Sequence, residues 1–228
     1  MIDVARGTIA VYSDIACPWA HLSVYRLQTA RRKLGLDGAV RLDHRCFPLE
    51  VFNERATPKR TLEAEIPVAG GLQPDAGWHM WKRRDSDWPI TTLLPMEAVQ
   101  AVKAQSLEAS ETLDRALRVG LFDQSRTISL RHVIIEIAGE CDGIDVDALT
   151  EAIDDGRSRR SLFDHKAVGE KEGVKGSPHL FLPDGSDAHN PGITMHWEGG
   201  SGGFPVIESD DPEIYDDIVR RAASTAAR

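Results

Sequence analysis

The sequence predicts an α/β fold in which a β-α-β unit and a later β-β-α unit flank a block of helices, and three observations predict it. Two short β-rich runs at residues 8–13 and 40–46 bracket a helical apolar stripe. Five successive helical periods then follow with no strand between them. Two further β-rich runs and an amphipathic C-terminal period close the chain.

Taken in order, Thr8–Ser13 (TIAVYS) is rich in β-branched and aromatic residues and reads as a buried first strand ending at a polar Ser-Asp pair. From Pro18, the residues Leu22, Tyr25, Leu27, Ala30 and Leu34 repeat at helical spacing, with proline in the first turn and Gly35 near the stop. Val40–Cys46 alternates as a second strand, so the unit forms a parallel pair with a right-handed crossover. Residues 50–92 hold prolines, glycines and three tryptophans without a sustained period, and read as a long irregular segment with one short helix at most. Helices are expected over Pro95–Gln105, Ser106–Asp123, Ser129–Cys141, Asp145–Asp155 and Arg157–Glu172, with Ser106, Ser129 and Asp145 as starts. Gly173 ends the block. SPHLFLP and ITMHW then read as two strands separated by a turn-rich stretch. The last helix is expected to begin near Ser209 to Pro212 and to run to about Ala226. Residues 1–50 and 173–228 therefore read as one α/β domain, and 51–172 as an irregular segment plus a helical insertion domain.

The bulk properties narrow the function classes. A chain of 228 residues with 41% hydrophobic content can bury a sizeable core. Its formal charge of −9 opposes general binding to nucleic acid or to an anionic membrane surface. No run of 18 apolar residues and no basic-then-apolar leader occurs, which places the chain in the cytoplasm as an expectation. Three widely spaced cysteines, Cys17, Cys46 and Cys141, do not suggest a disulfide framework, and no paired Cys or His spacing suggests a metal. The run Gly199–Gly203 lacks the Lys and Ser or Thr of a phosphate loop and reads as a flexible connector.

The chemistry-bearing stretch is Ser13-Asp14-Ile15-Ala16-Cys17-Pro18-Trp19-Ala20, which puts a thiol at the mouth of a helix. A thiol so placed faces unpaired N–H groups and the positive end of the dipole, which lower its pKa from about 8.5 to roughly 3.5–7.5 in known cases. On that basis Cys17 reads as a reactive thiolate; the alternative is a small capping residue packed on the sheet. His21, one turn on, reads as a solvated helix residue.

The SD-x-x-CPW motif, the helical insertion and the run Val174-Lys175-Gly176-Ser177-Pro178 together resemble the DsbA-like branch of the thioredoxin fold. Its relatives include FrnE-type oxidoreductases, 2-hydroxychromene-2-carboxylate isomerases and kappa-class glutathione transferases. The resemblance implies a thioredoxin-like fold and makes Pro178 the family's cis-proline, with Ser177 offering its backbone to a thiol ligand or extended substrate. It also implies that Pro18 and Trp19 line the ligand groove. Ser209 and Asp210 would stand where the transferase branch holds the ligand's amino end, or serve as plain helix caps.

The sequence departs from dithiol members at Ala20, where the second cysteine would stand, and so lacks the intramolecular resolving step. The resemblance then implies a monothiol thiol-disulfide oxidoreductase in which Cys17 works with an external low-molecular-weight thiol, glutathione or mycothiol. A thiol-dependent isomerase or S-transferase acting on an aromatic substrate, and a redox-inactive binding module, remain open. The resemblance also allows a homodimer. Cys46, at the same sheet edge as Cys17, could act as a distant resolving thiol or lie buried in the core, and Cys141 reads as a packing residue. Trp78, His79, Trp81 and Trp88 read as a lid over Cys17 or as packing at the hinge between domain and insertion.

Overall fold

A computed structural model describes residues 2–56, 58–200 and 203–226. Strand β1 (Thr8–Ser13) is buried along its whole length, as a strand covered on both faces must be. Helix α1 (Pro18–Lys33) crosses over to β2 (Arg41–Cys46), which pairs parallel to β1 in a register running from Thr8 opposite Arg41 to Ser13 opposite Cys46. The β2 side chains alternate half-buried and buried, as the sequence pattern predicts. Gly35, at φ +67°, turns the chain after α1.

The insertion differs from the expectation in its first part. Residues 50–92 are not mainly irregular: α2 (Leu49–Phe52) is followed by the 14-residue α3 (Lys59–Leu72). Pro67, Gly70 and Gly71 lie inside α3 and break the sequence signal, yet Leu62, Ile66 and Ala69 keep one face buried. Two short 3-10 turns at 74–76 and 85–87 lead to α4 (Leu93–Lys103), α5 (Leu107–Phe122), α6 (Arg131–Gly139), α7 (Val146–Asp155) and α8 (Arg159–Glu172). Ser106 and Asp145 cap α5 and α7 through the N–H groups of Ala109 and Ala148. Ser129 is not a cap; α6 starts two residues later behind Leu130.

The C-terminal unit also departs from the sequence reading. β3 (His179–Phe181) pairs antiparallel with β1. Its other neighbour is β4 (Asp187–His189), a strand within the stretch that reads as turn-rich, giving the sheet order β2-β1-β3-β4. ITMHW does not enter this sheet. It forms β5 (Ile193–Glu198), which pairs with β6 (Phe204–Asp210) as a separate antiparallel ribbon. Residues Ser201 and Gly202 of the expected glycine-rich connector lie outside the described residues. Ser209 and Asp210 therefore end a strand, and α9 begins only at Ile214 (Ile214–Ala226). The β-branched and aromatic content of Phe204–Ile207 outweighs the helix-start signal of the Asp-Asp-Pro that follows.

One apolar core joins β1, β2 and β3 with α1 and α9 through Ile9, Val11, Leu27, Leu42, Leu180 and Val219. A second lies among α4 to α8 and reaches into the β1–α1 loop through Ile15 and Ala16. Among the described residues no helix is long and apolar enough to cross a membrane.

Candidate functional site

Cys17 stands as the N-cap of α1 in extended backbone, because Pro18 at the first helical position fixes the helix start and pushes the preceding residue out of the helical region. Its carbonyl accepts the first intrahelical bond from the His21 N–H at 3.0 Å. Its thiol donates to the Ser177 carbonyl at 3.1 Å. The Ser177 hydroxyl in turn accepts the Asp14 N–H at 2.9 Å. The Ser177–Pro178 peptide is cis. Two hydrogen bonds thus join the Cys17 loop to the proline loop, although the two are 160 residues apart in sequence.

The surroundings of the thiol are apolar. Trp19, Ala20, Leu22 and Ala69 bury against it, with Leu49, Val68, Leu72, Trp78, Ile193, Met195 and Ile207 packed outside them. Cys17 is only 5% exposed. Burial and the negative charge of Glu65 push its thiol up to about 12, while the Ser177 side chain and the Ala20 N–H pull the other way. The low thiolate pKa expected from the helix N-terminus is therefore not found. A dipole worth up to ~2 kcal/mol is outweighed by removal of the thiolate from water, whose cost is several kcal/mol.

Glu65 on α3 is a residue the sequence does not single out. Trp19 donates its indole N–H to the Glu65 carboxylate at 3.0 Å. Burial raises the Glu65 carboxyl to about 7, against the opposing Trp19 bond. Asp14 is the second acidic neighbour, and it is spent on structure. It lies wholly buried, accepting the N–H groups of Ala16 and Leu49 and the hydroxyl of Thr92 at 2.9–3.0 Å. Burial raises its pKa, and those donors and Arg118 oppose the rise.

The remaining candidate residues separate. Pro18 and Trp19 adjoin Cys17. Ser209 and Asp210 do not present a helix N-terminus. Asp210 takes both oxygens to the buried Arg26, at 2.6 and 2.8 Å, and so ties β6 to α1. His21 is not solvated. It is fully buried, its Nε2 shared between the carbonyls of Ala76 and Gly77 at 3.1 Å and its Nδ1 facing Arg115 at 3.1 Å. Burial holds it well below the usual imidazole pKa, so it is neutral. Of the tryptophans, Trp78 packs edge-on to His21 near the site, while Trp81 and Trp88 form their own edge-to-face pair on the insertion. His79 pairs with Asp123. Cys46 is buried in the insertion core, its thiol pushed up to about 12 by burial, and Cys141 donates to the Ile137 carbonyl just beyond α6. Among the described residues no group of three or more His, Cys, Asp or Glu could hold a metal ion.

No protein-family model matches the chain, and no curated protein matches it. Solved structures do. The cytosolic disulfide reductase DsbM of Pseudomonas aeruginosa, solved with GSH, is similar over 95% of this chain and 96% of its own at 14% identity and a TM-score of 0.64. A "probable DsbA oxidoreductase" of Streptomyces coelicolor is similar over 95% and 90% at 18% identity and a TM-score of 0.65.

Proposed function

The chain has the DsbA-like thioredoxin fold with a helical insertion, and we propose that it is a monothiol thiol-disulfide oxidoreductase acting through Cys17. The observation that carries this reading is the meeting of Cys17 with the Ser177 carbonyl of the cis-proline loop while Ala20, one turn along, is fully buried and brings no second thiol. An external low-molecular-weight thiol, glutathione or mycothiol, therefore completes the cycle. GSH in the DsbM structure supports that class.

In the first step the Cys17 thiol loses its proton to water and its sulfur attacks one sulfur of an external disulfide. The disulfide bond breaks, the new bond joins Cys17 to one half, and the other half leaves as a thiolate that takes up a proton. In the second step an external thiolate attacks the sulfur bonded to Cys17: that disulfide bond breaks, a new disulfide joins the attacking thiol to the bound half, and Cys17 leaves as a thiolate that takes back a proton from water. At rest the Ser177 carbonyl accepts a hydrogen bond from the thiol, and Trp19 and Met195 keep the sulfur among apolar groups. The three cysteines are free, which suits a cytoplasmic setting.

Burial of Cys17 and its high pKa favour a second reading, a redox-inactive module that uses the same groove to bind a ligand. One experiment separates them. In a Cys46→Ala, Cys141→Ala background, oxidised glutathione or oxidised mycothiol should add one thiol to the intact mass, and a second thiol should remove it. Cys17→Ser should show neither change. Absence of any adduct at pH 7–9 leaves the binding module.

A further inference from the structure

The surroundings of Cys17 carry one carboxylate that the fold uses through only one of its oxygens. Glu65 lies one turn before Ala69 on α3, so both occupy the face that packs on the Cys17 cluster. One oxygen accepts the Trp19 indole N–H. Among the described residues the other oxygen accepts no hydrogen bond, and no Lys, Arg or His forms an ion pair with Glu65. Asp14, the other acidic group acting on Cys17, already has its carboxylate filled by three donors and lies under the Arg118 guanidinium. The neighbours of Cys17 from α2, α3, β5 and β6 are otherwise apolar: Leu49, Val68, Leu72, Ile193, Met195 and Ile207.

Above neutral pH a half-buried carboxylate with no protein cation beside it costs stability unless something positive meets it. From this juxtaposition we propose that the Cys17 site takes disulfides and thiols bearing an ammonium or guanidinium group, which the free oxygen of Glu65 receives beside the reacting sulfur. This inference rests on the monothiol reading above. The bound cation offsets the charge that opposes thiolate formation at Cys17, so the ligand itself helps to activate the thiol. A ligand with an anion at that position meets repulsion instead. The exchange is the balanced one already given: the disulfide is the oxidant, and its leaving half departs as the thiol.

The test uses the Cys46→Ala, Cys141→Ala protein at pH 8 with three probes: cystamine (cationic), 2-hydroxyethyl disulfide (neutral) and 3,3′-dithiodipropionate (anionic). Rates of Cys17 adduct formation are read by intact mass, each divided by the rate of the same probe with a free small-molecule thiol. The expected result is a cationic-to-anionic ratio of about tenfold or more, which corresponds to ~1.4 kcal/mol. In Glu65→Gln, which retains an acceptor for Trp19, the ratio should fall towards one, while the neutral probe still reacts and so reports an intact site. A ratio near one in the parent protein, or one that persists in Glu65→Gln, overturns the assignment to Glu65 and leaves the monothiol reading standing. No adduct from any of the three probes overturns both.

Discussion

The guanidinium of Arg118, fully buried on α5, donates to the Asp14 backbone carbonyl at 2.9 Å, and so couples the helical insertion to the loop that carries Cys17. The same group reaches the Ser13 hydroxyl at 2.8 Å and is balanced by Asp114 at 2.7 and 3.1 Å. Asp14 then continues the chain of bonds to Leu49 and Thr92 through its carboxylate, and through its N–H to Ser177. Every side of the loop before Cys17 is thus held by a different element.

The Arg118 arrangement sets a first expectation. Arg118→Met leaves Asp114 buried without its charge partner, and breaking a buried pair in this way costs about 3–5 kcal/mol. His44, 3.5 Å from Asp114, has its pKa lowered chiefly by burial, which opposes its taking the place of Arg118 as a counter-charge. Adding Asp114→Leu removes the stranded charge and should recover a large part of the loss. Urea unfolding of the single and double variants measures both. A single variant within 1 kcal/mol of the parent contradicts the account.

Glu65 predicts a pH dependence of stability. Its carboxyl is raised to about 7 in the folded chain from an ordinary value near 4.5, so the folded state holds the proton more tightly than the unfolded one. The contribution is fully present below about pH 4.5 and is lost as pH rises through about 7. The loss amounts to roughly 3 kcal/mol at most, from 1.36 kcal/mol per unit. Glu65→Gln should lack this term: its melting temperature relative to the parent should rise between pH 5 and pH 8. A difference between the two proteins that does not change with pH contradicts the assignment.

Alkylation of Cys17 should respond to the same substitution. The Glu65 charge raises the thiol pKa, and that charge is present only above about pH 7. Glu65→Gln should therefore be alkylated several-fold faster at pH 8–9 and at the parent rate near pH 5.5, where Glu65 is already protonated. Rates read by intact mass in the Cys46→Ala, Cys141→Ala background decide it. Slower alkylation of the variant at pH 8–9 shows that Glu65 assists the thiol instead of opposing it.

Local signals made the first half of the fold legible in the sequence. TIAVYS, the stripe from Leu22 to Leu34 and the alternation of Val40–Cys46 each act within a few residues, as do the caps at Ser106 and Asp145. Other features depend on partners far along the chain. Phe204–Asp210 becomes a strand because Ile193–Glu198 pairs with it, and α3 holds through Pro67 because its buried face packs on other elements. The position of Cys17 was readable from Cys-Pro-Trp, but its high pKa was not, since the dipole is local and the burial comes from α3 and the ribbon. Glu65 gave no signal: one acid in a stretch without clear period looks like any surface charge. The burial of His21 has no local signal, because its partners, Ala76, Gly77 and Arg115, are supplied by other segments.

The pairing of Arg26 with Asp210 gives the last prediction. The ribbon of β5 and β6 lies outside the main sheet, so its place over Cys17 depends on what it packs against and on this bidentate bond to α1. Arg26 is 4% exposed and its remaining bonds, to Gln73 and the Leu72 carbonyl, are long at 3.4 and 3.5 Å. Asp210→Asn thus leaves a buried guanidinium without its counter-charge, and the cheapest relief is for the ribbon to move away and let water reach it. Amide hydrogen exchange should then rise about tenfold or more at residues 193–198 and 204–210, and little in β1 and β2, because local opening need not unfold the sheet. Since Met195 and Ile207 pack around Cys17, the same variant should expose the thiol and speed its alkylation. Faster exchange spread evenly over the whole chain would instead mark Asp210 as a support of global stability, and faster ribbon exchange with unchanged alkylation would show that the ribbon does not shield Cys17.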